Sequence, residues 1–267
     1  MAGYADGVPC WVDAMLSDLE AGKRFYGELF GWTFRDGEKE YGYYTQAFAA
    51  DGKNVAALSP KPDGRMPTVW NLYLASADAQ ATAARIREAG GQLVTEPMAV
   101  GSYGTMLMAA DPGGAVFGVW QAGTHKGFEK SGEPGSYTWA EILTRDAERV
   151  DTFYETVFGY GSRQIGDGEN FDYKVFAPEG KDVTPANVVL GRFRMGSEFP
   201  AELPAHYDVY FGVEDADRAA ETIRRLGGRV NRGPDDSPFG RFAVVADDQG
   251  ANFSIIDQSR TVGDVPA

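Results

Sequence analysis

Two stretches of this chain read almost alike: CWVDAMLSDLEAGKRFYGELFGW at residues 10–32 and TWAEILTRDAERVDTFYETVFGY at residues 138–160. Trp11 falls on Trp139, Asp13 on Glu141, Asp18 on Asp146, Phe25-Tyr26 on Phe153-Tyr154 and Phe30-Gly31 on Phe158-Gly159, all at an offset of 128 residues without a gap. A register held that long means duplication, so fold and site must be read in both copies.

Each copy has the same local logic. A strand over 9–16 alternates, with Trp11, Asp13 and Met15 on one face. Ser17-Asp18-Leu19-Glu20 reads as a capping box. The helix that follows runs to about Leu29, with Leu19, Tyr26, Leu29 and Phe30 on one stripe, and Gly31 stops it. An aromatic-rich strand over 41–49 and a short apolar one over 54–58 complete the unit.

The second quarter repeats the order. A strand over 69–75 leads to a helix over 77–89 that ends at Gly90-Gly91, then to strands over 92–95, 105–110 and 115–121. The fourth quarter follows suit, with a strand over 207–213, a helix over 217–226 ending at Gly227-Gly228, and strands over 241–246 and 252–257. Asp111-Pro112-Gly113-Gly114 corresponds to Asp247-Asp248-Gln249-Gly250. The expected fold is α+β, built from four βαβββ modules at residues 8–62, 68–122, 136–192 and 205–258. They form two domains, 1–122 and 136–258, joined by a linker at 123–135 and followed by a loose tail at 259–267. One module alone leaves an open sheet, whereas two facing modules close a cup.

Composition narrows the function. The 267 residues carry 39 acidic against 25 basic side chains, a net charge of −14, which repels nucleic acid and anionic lipid. The single cysteine, Cys10, sits on a strand and reads as a buried structural thiol. There is no basic-then-apolar leader and no membrane-length apolar run, so a cytoplasmic protein is expected. His125 falls in the polar linker and is expected to be solvated.

These residues resemble the vicinal-oxygen-chelate superfamily of glyoxalase I, bleomycin-resistance proteins and extradiol dioxygenases. The likeness rests on SDLEAGKRFYGELFGW and TRDAERVDTFYETVFGY, and on IREAGG with DPGG and IRRLGG with DDQG. The opening Val8-Pro9-Cys10-Trp11 is similar to the tandem glyoxalase-like proteins of actinobacteria, some of them accessory to antibiotic pathways. The resemblance implies a divalent ion held by His, Gln and Glu. Carried over by position, those ligands fall on Trp11, Asn71 and Gly118 in the first half, and on Trp139, Asp208 and Ser254 in the second. An indole has no lone pair for a metal and glycine has no side chain. No metal and no other cofactor is therefore expected. His206 and Asp208 share one strand face and Glu141 points the same way into the second cup, so the three form a remnant ion set; hydrogen bonding of the carboxylates to Trp or Tyr neighbours is the favoured reading.

The inward positions mix flat aromatics with carboxylates. Trp11, Asp13, Asn71, Tyr73, Met106 and Trp120 are the ligand-binding candidates of the first cup, with Val116, Met108, Tyr41 and Tyr43 as further wall positions. Trp139, Glu141, His206, Asp208 and Tyr210 are those of the second, with Leu143, Asn252 and Ile256 beside them. Gly118 and Ser254 are expected to leave room above the floors. Such cups suit a small aromatic or polyketide-type ligand, cations included. The same side chains could instead fill closed barrels. The expected function is ligand binding for antibiotic resistance, sequestration or biosynthesis, with a biosynthetic enzyme as a protein partner. The alternatives are a metal-independent enzyme with Glu141, His206 and Asp208 (or Asp13) moving protons, and a metal-dependent glyoxalase or dioxygenase. Monomer and homodimer both fit the duplication. Trp70 is expected to point outward, either exposed or in a domain or subunit contact.

Overall fold

The computed structural model describes residues 3–169 and 171–263. Residues 264–267 of the expected loose tail lie outside the described residues.

The first half runs β1 (Pro9–Leu16), α1 (Leu19–Phe30), β2 (Thr33–Arg35), β3 (Thr45–Phe48), β4 (Asn54–Pro60), β5 (Val69–Ala75), α2 (Ala79–Glu88), β6 (Gln92–Leu93), β7 (Met98–Val100), β8 (Gly104–Ala110) and β9 (Val116–Ala122). The second runs β10 (Tyr137–Thr144), α3 (Ala147–Phe158), β11 (Gly161–Ile165), β12 (Tyr173–Ala177), β13 (Leu190–Arg194), β14 (His206–Gly212), α4 (Ala216–Arg225), β15 (Arg229–Ser237), β16 (Gly240–Ala246) and β17 (Asn252–Asp257). The two sheets follow one plan, β2-β3-β4-β1-β5-β9-β8-β6 with β7 on β8, and β11-β12-β13-β10-β14-β17-β16-β15. Each joins its two modules through a central antiparallel pair, β1 with β5 or β10 with β14. Each central strand has a parallel neighbour outside it, β4 and β9 in the first sheet, β13 and β17 in the second.

Local chemistry sets these elements. Asp18 caps α1 by accepting from the Ala21 amide at 2.9 Å, so the cap is one aspartate rather than the expected Ser17–Glu20 box. Gly31 ends α1 at φ 72°, a left-handed conformation that a Cβ disfavours. The helix buries Ala21, Gly22, Phe25 and Tyr26, a face shifted from the expected stripe. Small residues win there because α1 lies hard on β1: a Cβ on Gly22 would sit 2.2 Å from Leu16 Cδ1.

The backs of the sheets meet across the two halves, and the duplicated signatures are what meet. Tyr26 OH donates to Asp247 Oδ2 at 2.8 Å and accepts from Trp70 Nε1 at 3.0 Å. Reciprocally, Tyr154 OH donates to Asp111 Oδ2 at 3.1 Å and accepts from Tyr207 OH at 2.6 Å. The second glycine of each pair lies against the opposite half's phenylalanine: a Cβ on Gly91 would fall 2.7 Å from Phe153, and one on Gly228 would fall 3.1 Å from Phe25. Trp70 is not an exposed residue. It is buried in the interdomain core, 4.8 Å centroid to centroid from Phe211. Burial raises the Asp111 carboxyl to about 6, against the pull of its amide and Tyr154 donors. Tyr154→Phe is expected to lower stability by about 1–3 kcal/mol in urea unfolding, because Asp111 and Tyr207 both lose a buried partner.

Several expected boundaries move. Residues 39–41 form a 3-10 turn and β3 starts at Thr45, so Tyr41 and Tyr43 are exposed and are not cup walls. β15 has no counterpart among the expected strands, because it carries two Arg, two Asp and Pro234 and so lacks apolar alternation. The expected linker is packed instead. Phe128 N donates to Cys10 O at 2.8 Å, Glu129 N to Asn54 O at 2.9 Å, and Phe128 stacks on Tyr137 at 4.9 Å. The tail is tied as far as Val262, whose amide donates to Ser237 O at 2.9 Å. Cys10 is buried as expected, and burial raises its thiol strongly.

Candidate functional site

The face of each sheet turned away from the other half carries an aromatic and carboxyl array, and the duplication makes the two arrays comparable position by position. Strand period two sets them up: Trp11 faces Tyr73 across β1 and β5, and Asp13 faces Asn71. In the second half Trp139 faces Tyr210 and Glu141 faces Asp208. Tyr73 lies beside Gly118, and Tyr210 beside Ser254. A tyrosine from the neighbouring strand region completes each set. Tyr44 OH accepts from Trp11 Nε1 at 2.7 Å and donates to Asp13 Oδ2 at 2.9 Å. Tyr173 OH accepts from Trp139 Nε1 at 2.9 Å and donates to Glu141 Oε1 at 3.2 Å.

The first cup is closed by its own side chains. Trp11 is 3% exposed and Trp120 is 8% exposed. Asn71 Nδ2 donates to Asp13 Oδ1 at 2.8 Å. Burial raises the Asp13 carboxyl, opposed by hydrogen bonds from Asn71, Tyr73 and Tyr44. Gly118 leaves no room, contrary to expectation. The Tyr73 ring covers it, so a Cβ there would fall 2.1 Å from Tyr73 Cδ1. His125, expected in solvent, packs edge-on against Trp11 at 4.4 Å and against Trp120 at 5.6 Å. Trp120 Nε1 holds the linker there by donating to His125 O at 3.0 Å. The His125 Nε2 is buried without a partner among the described residues, and burial lowers its ring to about 4. Met106 is half-buried against this core, whereas Val116 is 45% exposed and leaves the cup wall.

The second cup is more open. Trp139, Glu141 and Leu143 are half-buried, although Tyr210, Asp208 and Ile256 beneath are buried. Its wall is aromatic: Tyr173 lies 5.9 Å from Phe171, 6.5 Å from Phe193 and 6.4 Å from Phe239, which is 44% exposed. Phe199 packs on Phe193 at 5.9 Å and lines a cavity of about 780 Å³ with Arg145 and residues 195–201. Arg145 anchors that loop by donating to Leu203 O and Pro200 O. Sequence reasoning missed Tyr44, Tyr173 and this phenylalanine wall, because they lie on short strands and loops without periodicity. Asn252 is exposed and does not face the cup.

Glu141 and Asp208 are brought together, but His206 is not joined to them. Its Nδ1 pairs with Pro204 O at 2.8 Å, and burial lowers its ring. Ser254 Oγ donates to Asp208 Oδ2 at 2.6 Å. Burial pushes Asp208 up to about 7. Burial, with the adjacent Asp208 charge, pushes Glu141 up to about 8. The folded pair therefore keeps protons that the unfolded chain releases, so its contribution to stability is full in acid and is lost as pH rises from about 4 to about 8. Relative to wild type, Glu141→Gln should gain about 1–3 kcal/mol between pH 5 and about pH 9, read from urea midpoints across pH.

A family-type divalent ion does not fit these residues. Trp11 and Trp139 point their indole N–H groups at tyrosine oxygens, Gly118 lies under a ring, and Ser254 donates to Asp208. Among the described residues no three His, Cys, Asp or Glu side chains converge as a metal-holding group, which removes the His206, Asp208 and Glu141 remnant as an ion set. Nor is any described helix long and apolar enough to cross a membrane.

Comparison with known proteins adds the family. The Glyoxalase/Bleomycin resistance protein/Dioxygenase superfamily matches residues 11–119, and a glyoxalase-like domain matches residues 139–256. CFP32 of Mycobacterium tuberculosis is 37% identical over 95% of both chains. The anthracycline biosynthesis protein DauV of Streptomyces sp. (strain C5) is 35% identical over 96% of this chain and 95% of its own. The Mn(II)-bound glyoxalase from Novosphingobium aromaticivorans superposes with a TM-score of 0.63 at 19% identity, covering 99% of this chain and 89% of that one. At that identity the structural likeness establishes the fold.

Proposed function

From a chain that belongs to the Glyoxalase/Bleomycin resistance protein/Dioxygenase superfamily but places indoles and a covered glycine at the metal positions, we propose a metal-independent protein that binds a small aromatic, polyketide-type molecule in its second cup. The observation that carries this is the asymmetry between the two copies. One cup is plugged by His125, and the other keeps Trp139 and Phe239 accessible around paired carboxyls. Flat aromatic surface with a few polar groups at its base suits a planar ligand bearing hydroxyl or carbonyl oxygens. An amine on such a ligand would find two carboxyls and an indole beside it.

The relatives named for anthracycline biosynthesis support a place in an antibiotic pathway, as accessory, sequestering or resistance protein. The reading is tested by titrating the protein with quinizarin, a flat dihydroxyanthraquinone, and following tryptophan fluorescence. Saturable quenching at one molecule per chain is expected, in chelator-treated protein as well as untreated. Absence of saturation into the millimolar range, or binding that needs a stoichiometric metal, contradicts it.

A further inference from the structure

We propose that Glu141 and Asp208 act together as a proton-transferring pair, and that the second cup interconverts the keto and enol forms of a planar ketone without a metal. The inference rests on the ligand-binding reading above and adds an activity to it.

The duplication supplies the control. In the closed first cup the cross-strand partner of Asp13 is Asn71, and its amide N–H satisfies the carboxylate. At the matching position of the open cup the amide is an acid, so Glu141 faces Asp208 directly across β10 and β14. Like charges directly opposite in an antiparallel pair repel, and two such groups coexist by retaining a proton between them. The polar neighbours are neutral. Tyr173 donates to Glu141, Ser254 donates to Asp208, and Tyr210 lies against both. Burial favours the protonated state of both, in keeping with a retained proton.

A half-ionised pair holds an acid and a base at once. The ionised carboxyl removes a proton from the carbon next to the ligand's carbonyl, breaking that C–H bond. The electron pair forms C=C as the carbonyl π bond shifts to oxygen. The protonated carboxyl gives its proton to that oxygen. The pair finishes with the proton count it began with, and no oxidant, reductant or metal enters. Positioned acid and base groups of this kind contribute roughly 10²–10⁴-fold each.

The test uses β-tetralone, an aromatic ketone with an enolisable benzylic C–H. Its exchange of hydrogen for deuterium in heavy water is followed by proton NMR, and quinizarin affinity is measured in parallel. Wild type is expected to accelerate exchange at least about 100-fold over an equal concentration of free carboxylate buffer. Glu141→Gln and Asp208→Asn should each remove that acceleration at β-tetralone concentrations that saturate the wild type, and keep the wild-type circular dichroism. Quinizarin binding by wild type without accelerated exchange overturns the proton-transfer proposal alone. So does a folded Glu141→Gln or Asp208→Asn protein that still exchanges at the wild-type rate. Failure of wild type to bind quinizarin overturns the binding reading, and this inference with it.

Discussion

Replacing Trp139 by alanine is expected to weaken quinizarin binding by about 100-fold, close to ~2.8 kcal/mol, in calorimetric titration. The indole is half-buried, and its Nε1 is tied to Tyr173 OH, so little motion remains to be frozen when a ring stacks on it. Its loss removes the stacking surface and also frees Tyr173, the donor that holds Glu141. Trp139→Phe keeps a flat apolar face without the donor, and should cost only about tenfold. The same change at Trp11 alters a closed cup, so its effect should appear in stability rather than affinity. Equal affinity losses at the two tryptophans would place the ligand elsewhere.

A change of Arg192 to leucine should destabilise the protein by about 3–5 kcal/mol in urea unfolding. Arg192 is 1% exposed. Its guanidinium forks onto Asp151 at 2.8 and 3.0 Å, and its third nitrogen reaches Asp172 Oδ1 at 2.7 Å. Lys174 and Arg194 close the network on the outside. At the corresponding register of the first sheet, beside Ala14 rather than Ile142, stands fully buried Leu58. Leucine therefore suits the site sterically, and the cost comes from two buried carboxylates left short of a partner. Because Asp172 precedes Tyr173, the same variant should loosen the cup wall and weaken quinizarin binding at temperatures where it is still folded. A loss below about 1 kcal/mol would mean that Lys174 and Arg194 suffice to hold both acids.

The repeat made the fold legible. Phe25-Tyr26, Gly90-Gly91 and the Asp111 loop each have a counterpart in the second half, in the same order. Their physical roles lay beyond the sequence. The tyrosines and glycines answer to the opposite half, and no pattern along the chain reveals a partner more than 200 residues away, as for Tyr26 and Asp247. The two-residue period of a strand placed Trp11 with Asp13, and Trp139 with Glu141, on common faces. It failed at Val116 and Asn252, the first residues of their strands, which are exposed. The plug was hidden for a different reason. Residues 123–135 are polar and glycine-rich, which reads as a linker, yet the Trp120 indole N–H and the Cys10 carbonyl bond to its backbone and fold it back. Composition likewise could not separate Gly118 as empty space from Gly118 as the seat of Tyr73.

Ligand entry into the second cup is the central claim, and fluorine NMR of fluorotryptophan-labelled protein reads it directly. The chain has five tryptophans, of which Trp11, Trp32, Trp70 and Trp120 are buried and Trp139 is half-buried. Addition of quinizarin should move the Trp139 resonance and leave the other four where they are. A shift at Trp11 or Trp120, or no shift at Trp139 at saturating ligand, would contradict it.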